Sequence, residues 1–186
     1  MLTRANWHTR HAAHCIRNGG IIAYPTETVY GLGCDPYNPD AVLRLLALKQ
    51  RDWKKGLILV ASDVSQIQSL IQVDDLSQLK QTISRESEPT SWVLPASRHL
   101  PLWIRGEHDS VAIRISKHPC IVDLCDTLGQ AIVSTSANPS TRKPAINALQ
   151  IKRYFNDQLD AILHSASPCN KKPSQILHYP SRRRLR

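Results

Sequence analysis

No apolar run in this 186-residue chain approaches the length of a membrane span. The opening "MLTRANWHTRHAAH" lacks an apolar core, so no secretory signal is expected. Five cysteines include no CxxC pair, which argues against a disulfide framework or zinc site and for reduced thiols in a cytoplasm. Aromatic residues make up only 5%, scattered without a stacking box of the kind that grips single-stranded RNA. No GxxxxGK[ST] phosphate loop is present, and "GLG" at Gly31 to Gly33 is a fragment of a dinucleotide fingerprint. There is no internal repeat and no low-complexity linker. Acidic residues are in the minority, 15 against 24 Lys and Arg, for a net charge of +9. That excess points to anionic partners: nucleotide, RNA or both.

At this length one domain with a substantial core is expected. Strand-like and helix-like segments alternate. "GGIIAYP" reads as a strand, "GLILVAS" (Gly56 to Ser62) as a short buried one, and "SWVLPA", "SVAIRIS" and "QAIVSTS" as three more. "AILHSA" and "QILHY" read as edge strands. "NPDAVLRLLALKQR" reads as a helix with Asn38 as N-cap and Pro39 at its first position. "DVSQIQSLI", "DDLSQLKQTI" and "ALQIKRYF" have helical patterns, as does "KHPCIVDLCDTLG", with Pro119 near its start and Gly129 past its end. The alternation implies an α/β domain, residues 1–186, with a mixed β-sheet flanked by helices. Residues 181–186, "SRRRLR", read as a basic flexible tail.

Three segments carry chemistry. "LKQRDWKKG" sets Lys49, Arg51 and Lys55 between a helix and a strand, either as caps for the helix dipole or as a phosphate clamp. "IVSTSANPS" runs from a strand into Ser134, Ser136 and Asn138, either a self-bonded turn or an anion-facing loop. In "SVAIRIS", Val111, Ile113 and Ile115 share one face and Ala112 and Arg114 the other, so Arg114 faces solvent or a cavity.

Together with "YPTETVYGLG", in this order and spacing, these segments closely resemble the TsaC/YrdC-like family, the threonylcarbamoyl-AMP synthases. The resemblance runs from about Ile21 to Ile176. It implies a twisted mixed sheet enclosing a basic cavity. It also implies a nucleotidyltransferase that joins L-threonine, bicarbonate and ATP into L-threonylcarbamoyladenylate and pyrophosphate, with Mg2+ accompanying the ATP. The product would pass to a tRNA threonylcarbamoyltransferase complex that makes t6A in tRNAs reading ANN codons. By the same resemblance, Lys49, Arg51, Lys55, Ser134, Ser136 and Asn138 would bind ATP. Thr26, Thr28, Tyr30, Arg114 and Ser174 would bind threonine. No protein nucleophile and no protein-held metal are implied.

The chain departs from the family where the pattern reads "WPGP(V/L)T". Here stands "ESEPTSW", with Glu86 and Glu88 in place of Trp and Gly and Ser91 in place of the threonine. The approach to Ser174 gains Lys171 and Lys172. Glu27 is read either as an acceptor for the substrate amine or as a structural cap. His8, His11 and His14 recur every three residues, as a polar helix face in preference to a metal site. The competing class is a non-catalytic RNA-binding module of the same fold, favoured by net charge and the basic tail, with weak tRNA contact. ATP binding discriminates the two. A third class is a nucleotidyltransferase for another amino acid.

Overall fold

The computed structural model of the chain describes residues 6–140, 142–164 and 174–185; Cys169, Lys171, Lys172 and Arg186 lie outside them. Eight strands form one mixed sheet: β1 (Ile22–Tyr24), β2 (Gly31–Gly33), β3 (Ile58–Ala61), β4 (Thr90–Pro95), β5 (Ser110–Ile115), β6 (Ile132–Ser136), β7 (Ala161–Ile162) and β8 (Gln175–His178). Their order is β7-β1-β2-β6-β3-β5-β4-β8. The parallel pairs are β1/β7, β3/β5 and β4/β8. The two segments expected at edges, β7 and β8, occupy the two edges.

Among the described residues six α-helices accompany the sheet: α1 (Trp7–Arg17), α2 (Pro39–Lys49), α3 (Leu76–Ser84), α4 (Leu102–Arg105), α5 (Pro119–Leu128) and α6 (Ala148–Phe155). Their starts follow local side-chain chemistry. Asn6, Asn38, Asp75, His118 and Asn147 each accept from a backbone N–H of the first turn, filling a donor the helix itself leaves free. Asn38 and Pro39 take the positions expected of them, and Gly129 ends α5 in the left-handed region.

Two segments differ from the sequence reading. "DVSQIQSLI" is not an α-helix but two 3-10 turns, Val64–Gln66 and Gln68–Leu70. Val64, Ile67 and Leu70, three of its four buried residues, recur every three positions, which is the 3-10 period; Ile71 is the fourth. The basic end is folded back rather than free over residues 181–185. The Arg182 N–H donates to His178 O, the His178 N–H to Arg183 O, and the Leu185 N–H to Ile176 O at 2.8 Å.

The sheet buries both faces, but differently. One face carries Leu32, Leu59, Trp92, Ile113 and Val133 into a large core with Leu45, Leu79, Ile151 and Phe155 of α2, α3 and α6. On the other, Ile22, Tyr24, Val60 and Ile132 meet Ala12, Ala13 and Ile16 of α1 and Ile121, Leu124 and Cys125 of α5. Each fully buried Leu or Ile contributes about 1.5–3 kcal/mol. Alternation carries this second face onward to Ile58, Ser134, Ser136, Ala112 and Arg114, where a cavity replaces the helices.

One glycine fixes the rim of that cavity. Gly106 has φ +67, and a Cβ there would stand 2.3 Å from Lys54 O. Its bareness lets the end of α4 dock on the 3-10 turn Trp53–Lys55, joined by Glu107 N–H to Lys54 O at 3.1 Å and Leu57 N–H to Ile104 O at 2.7 Å. Gly106→Ala is expected to lower unfolding free energy in urea by about 1–3 kcal/mol, the range for a strained backbone position. A change within experimental error would show that this contact does not set the rim.

Candidate active site

The cavity holds about 550 Å³. Its described lining includes Arg51, Lys55, Arg105 and Arg114 with His108, many hydroxyls, and no Asp or Glu. Glu27 and Asp109 stand 3.8 Å from Arg114 and Arg105 outside that lining, but the cations facing the chamber outnumber them and repel one another, so it favours an anion. Nine of the eleven residues singled out by sequence line it: Thr26, Thr28, Tyr30, Arg51, Lys55, Arg114, Ser134, Ser136 and Ser174. Lys49 and Asn138 are absent from the lining and sit behind it.

Lys49 is buried at 4% exposure. Its Nζ donates to Ser136 O, to Asn138 O at 2.7 Å and to Asn138 Oδ1 at 2.9 Å. Three acceptors match the three N–H bonds of an ammonium. Asn138 passes the connection on, its amide donating to Pro139 O at 3.1 Å and to Arg142 O. Ser140 Oγ closes the loop onto Lys49 O. Lys49 and Asn138 are therefore a latch that sets the shape of the "STSAN" loop. Arg51 is placed differently. Its Nη2 donates to Gly56 O at 2.8 Å, while its buried Nε has no hydrogen-bond partner. A buried charge-bearing donor without an acceptor is costly.

The "PTET" turn resolves into distinct parts. Thr26 Oγ1 donates its single hydrogen to Val29 O at 2.7 Å and accepts from the Thr28 N–H at 3.1 Å. It also accepts from the Val29 N–H at 3.3 Å, and the two hydroxyls stand 3.1 Å apart, with no hydrogen left on Thr26 to give to Thr28. The lone pairs of Thr28 Oγ1 are left for a ligand N–H. Glu27 turns away to cap the entry of α5, accepting from Ser116 Oγ and from the N–H groups of Lys117 and His118, both at 3.1 Å. Its Oε2 lies 3.8 Å from Arg114 Nη1. Burial pushes its carboxyl upward, but those bonds and Arg114 outweigh it and hold it below the ordinary range. Of the two roles read for Glu27, the structure displays the cap.

Arg114 stands in the cavity wall, donating to Ser174 Oγ and reaching Ser91 Oγ at 3.4 Å. Ser91, noted in the sequence only as a replacement, is thus part of this group. Arg105 and His108 were missed; a four-residue helix and a loop carry no periodic signal. Glu86 and Glu88 border a second, smaller cavity of about 300 Å³, which shares Arg114 with the first and is otherwise lined by different described residues. On α1 the exposed His11 stacks on Trp7, and no three His, Cys, Asp or Glu side chains among the described residues are grouped to hold a metal.

A family model, Sua5_yciO_yrdC, described as "Telomere recombination", matches residues 14–186. The chain belongs to this family. It is 45% identical over 172 residues to the threonylcarbamoyl-AMP synthase of Pseudomonas aeruginosa strain UCBPP-PA14, covering 92% of each chain. Against the threonylcarbamoyl-AMP synthase of Nitrosococcus oceani it is 45% identical over 181 residues, 97% of this chain and 98% of the relative. Its fold superposes on Sua5 of P. abyssi complexed with L-threonine with a TM-score of 0.85 at 29% identity, over 94% of this chain and 52% of that one. E. coli YciO shares the fold, with a TM-score of 0.79 at 23% identity over 91% of this chain and 82% of that one.

The latch carries a pH dependence. Burial, with the Arg51 charge second, pushes the Lys49 ammonium down to about 8. Raising pH through that value removes one of three donors from the loop. ATP affinity is expected to fall through the same range in the native protein, and to be weak and flat with pH in Lys49→Met, as measured by calorimetry. Folding responds with the opposite sign. Unfolded lysine keeps its proton to about 10.5, so this group's contribution to stability grows between about 8 and 10.5. A native affinity that is level across pH 8 would remove the latch from the ATP site.

Proposed function

We propose that this chain is a nucleotidyltransferase that condenses L-threonine, bicarbonate and ATP into L-threonylcarbamoyladenylate and pyrophosphate. The observation that carries the reading is the carboxylate-free cavity where Arg51, Lys55 and Arg114 meet the hydroxyls of Thr28, Ser134, Ser136 and Ser174, in a chain 45% identical to threonylcarbamoyl-AMP synthases. A triphosphate, a carboxylate and a carbamate need that much positive charge to share one chamber.

The chemistry follows from placement. The threonine amine adds to bicarbonate and water leaves, giving a carbamate. A carbamate oxygen then attacks the α-phosphorus in line, and pyrophosphate departs with the bond it loses. No protein nucleophile enters, so acceleration comes from positioning and charge. Arg51, Lys55, Ser134 and Ser136 hold the phosphates. Lys49 and Asn138 shape the loop that presents those serines. Arg114, steadied by Ser174 and Ser91, takes the threonine carboxylate, and Thr28 accepts from the amine. Thr26 and Tyr30 complete that wall. Mg2+ travels with ATP; the described lining supplies hydroxyls but no carboxylate, so phosphate oxygens and water would form most of its shell.

No helix among the described residues is long and apolar enough to cross a membrane. In the proposed reading the chain acts in the cytoplasm as a single domain that passes its adenylate to a tRNA threonylcarbamoyltransferase complex for t6A synthesis in ANN-reading tRNAs. The basic end that favoured an RNA-binding module has its backbone engaged with β8 over residues 181–185, with Arg182, Arg183 and Arg184 exposed.

The decisive assay follows pyrophosphate and labelled adenylate while omitting one substrate at a time in CO2-depleted buffer. Both products are expected only with threonine and bicarbonate together. Serine, lacking one methyl, should be disfavoured by about 1–3 kcal/mol. Arg51→Ala is expected to weaken ATP binding by about 1.5–3 kcal/mol, the scale of a charge-assisted contact. Pyrophosphate release indifferent to threonine would sink the reading.

A further inference from the structure

Two features of the sequence stand outside this account: the carboxylates of "ESEP" and the arginines of the tail. The structure joins them. Arg182 is ion-paired with Glu86, whose side chain is only 13% exposed. Glu86 also accepts from Gln175 Nε2 at 3.4 Å, and the same Gln175 amide donates to Thr90 Oγ1 at 2.8 Å. The pair therefore ties the chain end to the start of both β4 and β8. Beyond Arg182 the backbone runs back along β8, with Leu177 opposite Arg184 and the Leu185 N–H on Ile176 O. This places the Leu185 side chain in the wall of the large cavity, next to Ile176.

The location matters. Ile176 pairs with Ser91 across β4/β8, and Ser91 and Ser174 are the partners of Arg114. Ile176 and Leu185 are thus the apolar side of the group assigned to the amino-acid substrate. A carboxylate grip alone does not distinguish threonine from serine; an apolar wall beside it does, by filling against the methyl.

We propose that the folded-back C-terminus is a specificity element, in which Leu185 and Ile176 form the methyl-contacting wall for a small β-hydroxy amino acid and the Glu86–Arg182 ion pair holds that wall in place. In this chain, Glu86 and Arg182 are positioning residues. The inference rests on the proposed function, since it assigns the Arg114 end of the cavity to threonine.

The test uses the full chain and compares kcat/KM for L-threonine and L-serine, with the ATP KM measured alongside. Leu185→Ala, Arg182→Glu and Glu86→Arg are each expected to raise the threonine KM about tenfold, to lower the threonine-to-serine preference, and to leave the ATP KM within twofold. Combining Glu86→Arg with Arg182→Glu restores the pair with charges exchanged. The combination is expected to recover most of the native preference, a rescue that general loss of fold would not give. Native protein that makes no adenylate would overturn the reading on which the inference rests. Active native protein whose variants retain the full threonine preference, or a double variant no better than the singles, would overturn the inference alone.

Discussion

Four cations in one chamber with no carboxylate among its described lining is the constraint on which the rest of the structure depends. At partial burial, each pair of like charges opposes the fold. Arg51 shows the cost directly: burial lowers its affinity for the proton, and its Nε is left without an acceptor. The protein tolerates this because the surrounding elements are anchored by other means. Carboxylates nearby stay outside the described lining, although Glu27 Oε2 lies 3.8 Å from Arg114 and Asp109 Oδ1 3.8 Å from Arg105. Glu27 caps the entry to α5, and Glu107 pairs with Lys54 at 2.7 Å on the rim. The chamber is thus left for anions that arrive as substrate.

The same strands make both the scaffold and the site. Along β6, Ile132 lies in the core beneath α1 and α5, while Ser134 and Ser136, two and four residues on, point from the same face into the cavity. Along β5, Val111 and Ile113 pack into the opposite core as Arg114 reaches the site. Functional groups on strands buried on one side inherit the precision of the core. The loop after β6 is held by Ala137, which is buried in the core and bonded to Tyr30 O and the Ala145 N–H, and by the Lys49 latch.

Much of this was legible in the sequence, and the exceptions have physical causes. Helices with a cap and a 3.6-residue stripe, such as α2, α5 and α6, stood out because both signals are local. The strand "GLG" did not, because it lacks side chains at alternate positions. A Cβ at Gly33 would lie 2.5 Å from Val133 O, so only bare backbone fits between Tyr24 and β6. "DVSQIQSLI" was misread because spacing by three resembles helical spacing by three and four. For the site, the family resemblance marked Lys49, Arg51, Ser136 and Asn138 as one group. It could not show that Lys49 and Asn138 bond to each other and leave Arg51 to face the cavity. That division depends on which acceptors lie within reach, and on contacts 87 to 89 residues apart in the chain. The fold-back of "SRRRLR" was hidden for the same reason: its anchor, Glu86, is 96 residues away.

The central claim is that one carboxylate-free cavity holds both substrates, with phosphates toward β6 and the amino acid toward β4 and β8. A crystal structure with a non-hydrolysable ATP analogue and L-threonine tests it most directly. The account predicts phosphate oxygens on Arg51, Lys55, Ser134 and Ser136, the threonine carboxylate on Arg114, and the Lys49 ammonium still on its three loop oxygens. Phosphates bound by Arg114 with threonine beside Arg51, or either ligand outside this cavity, would contradict it.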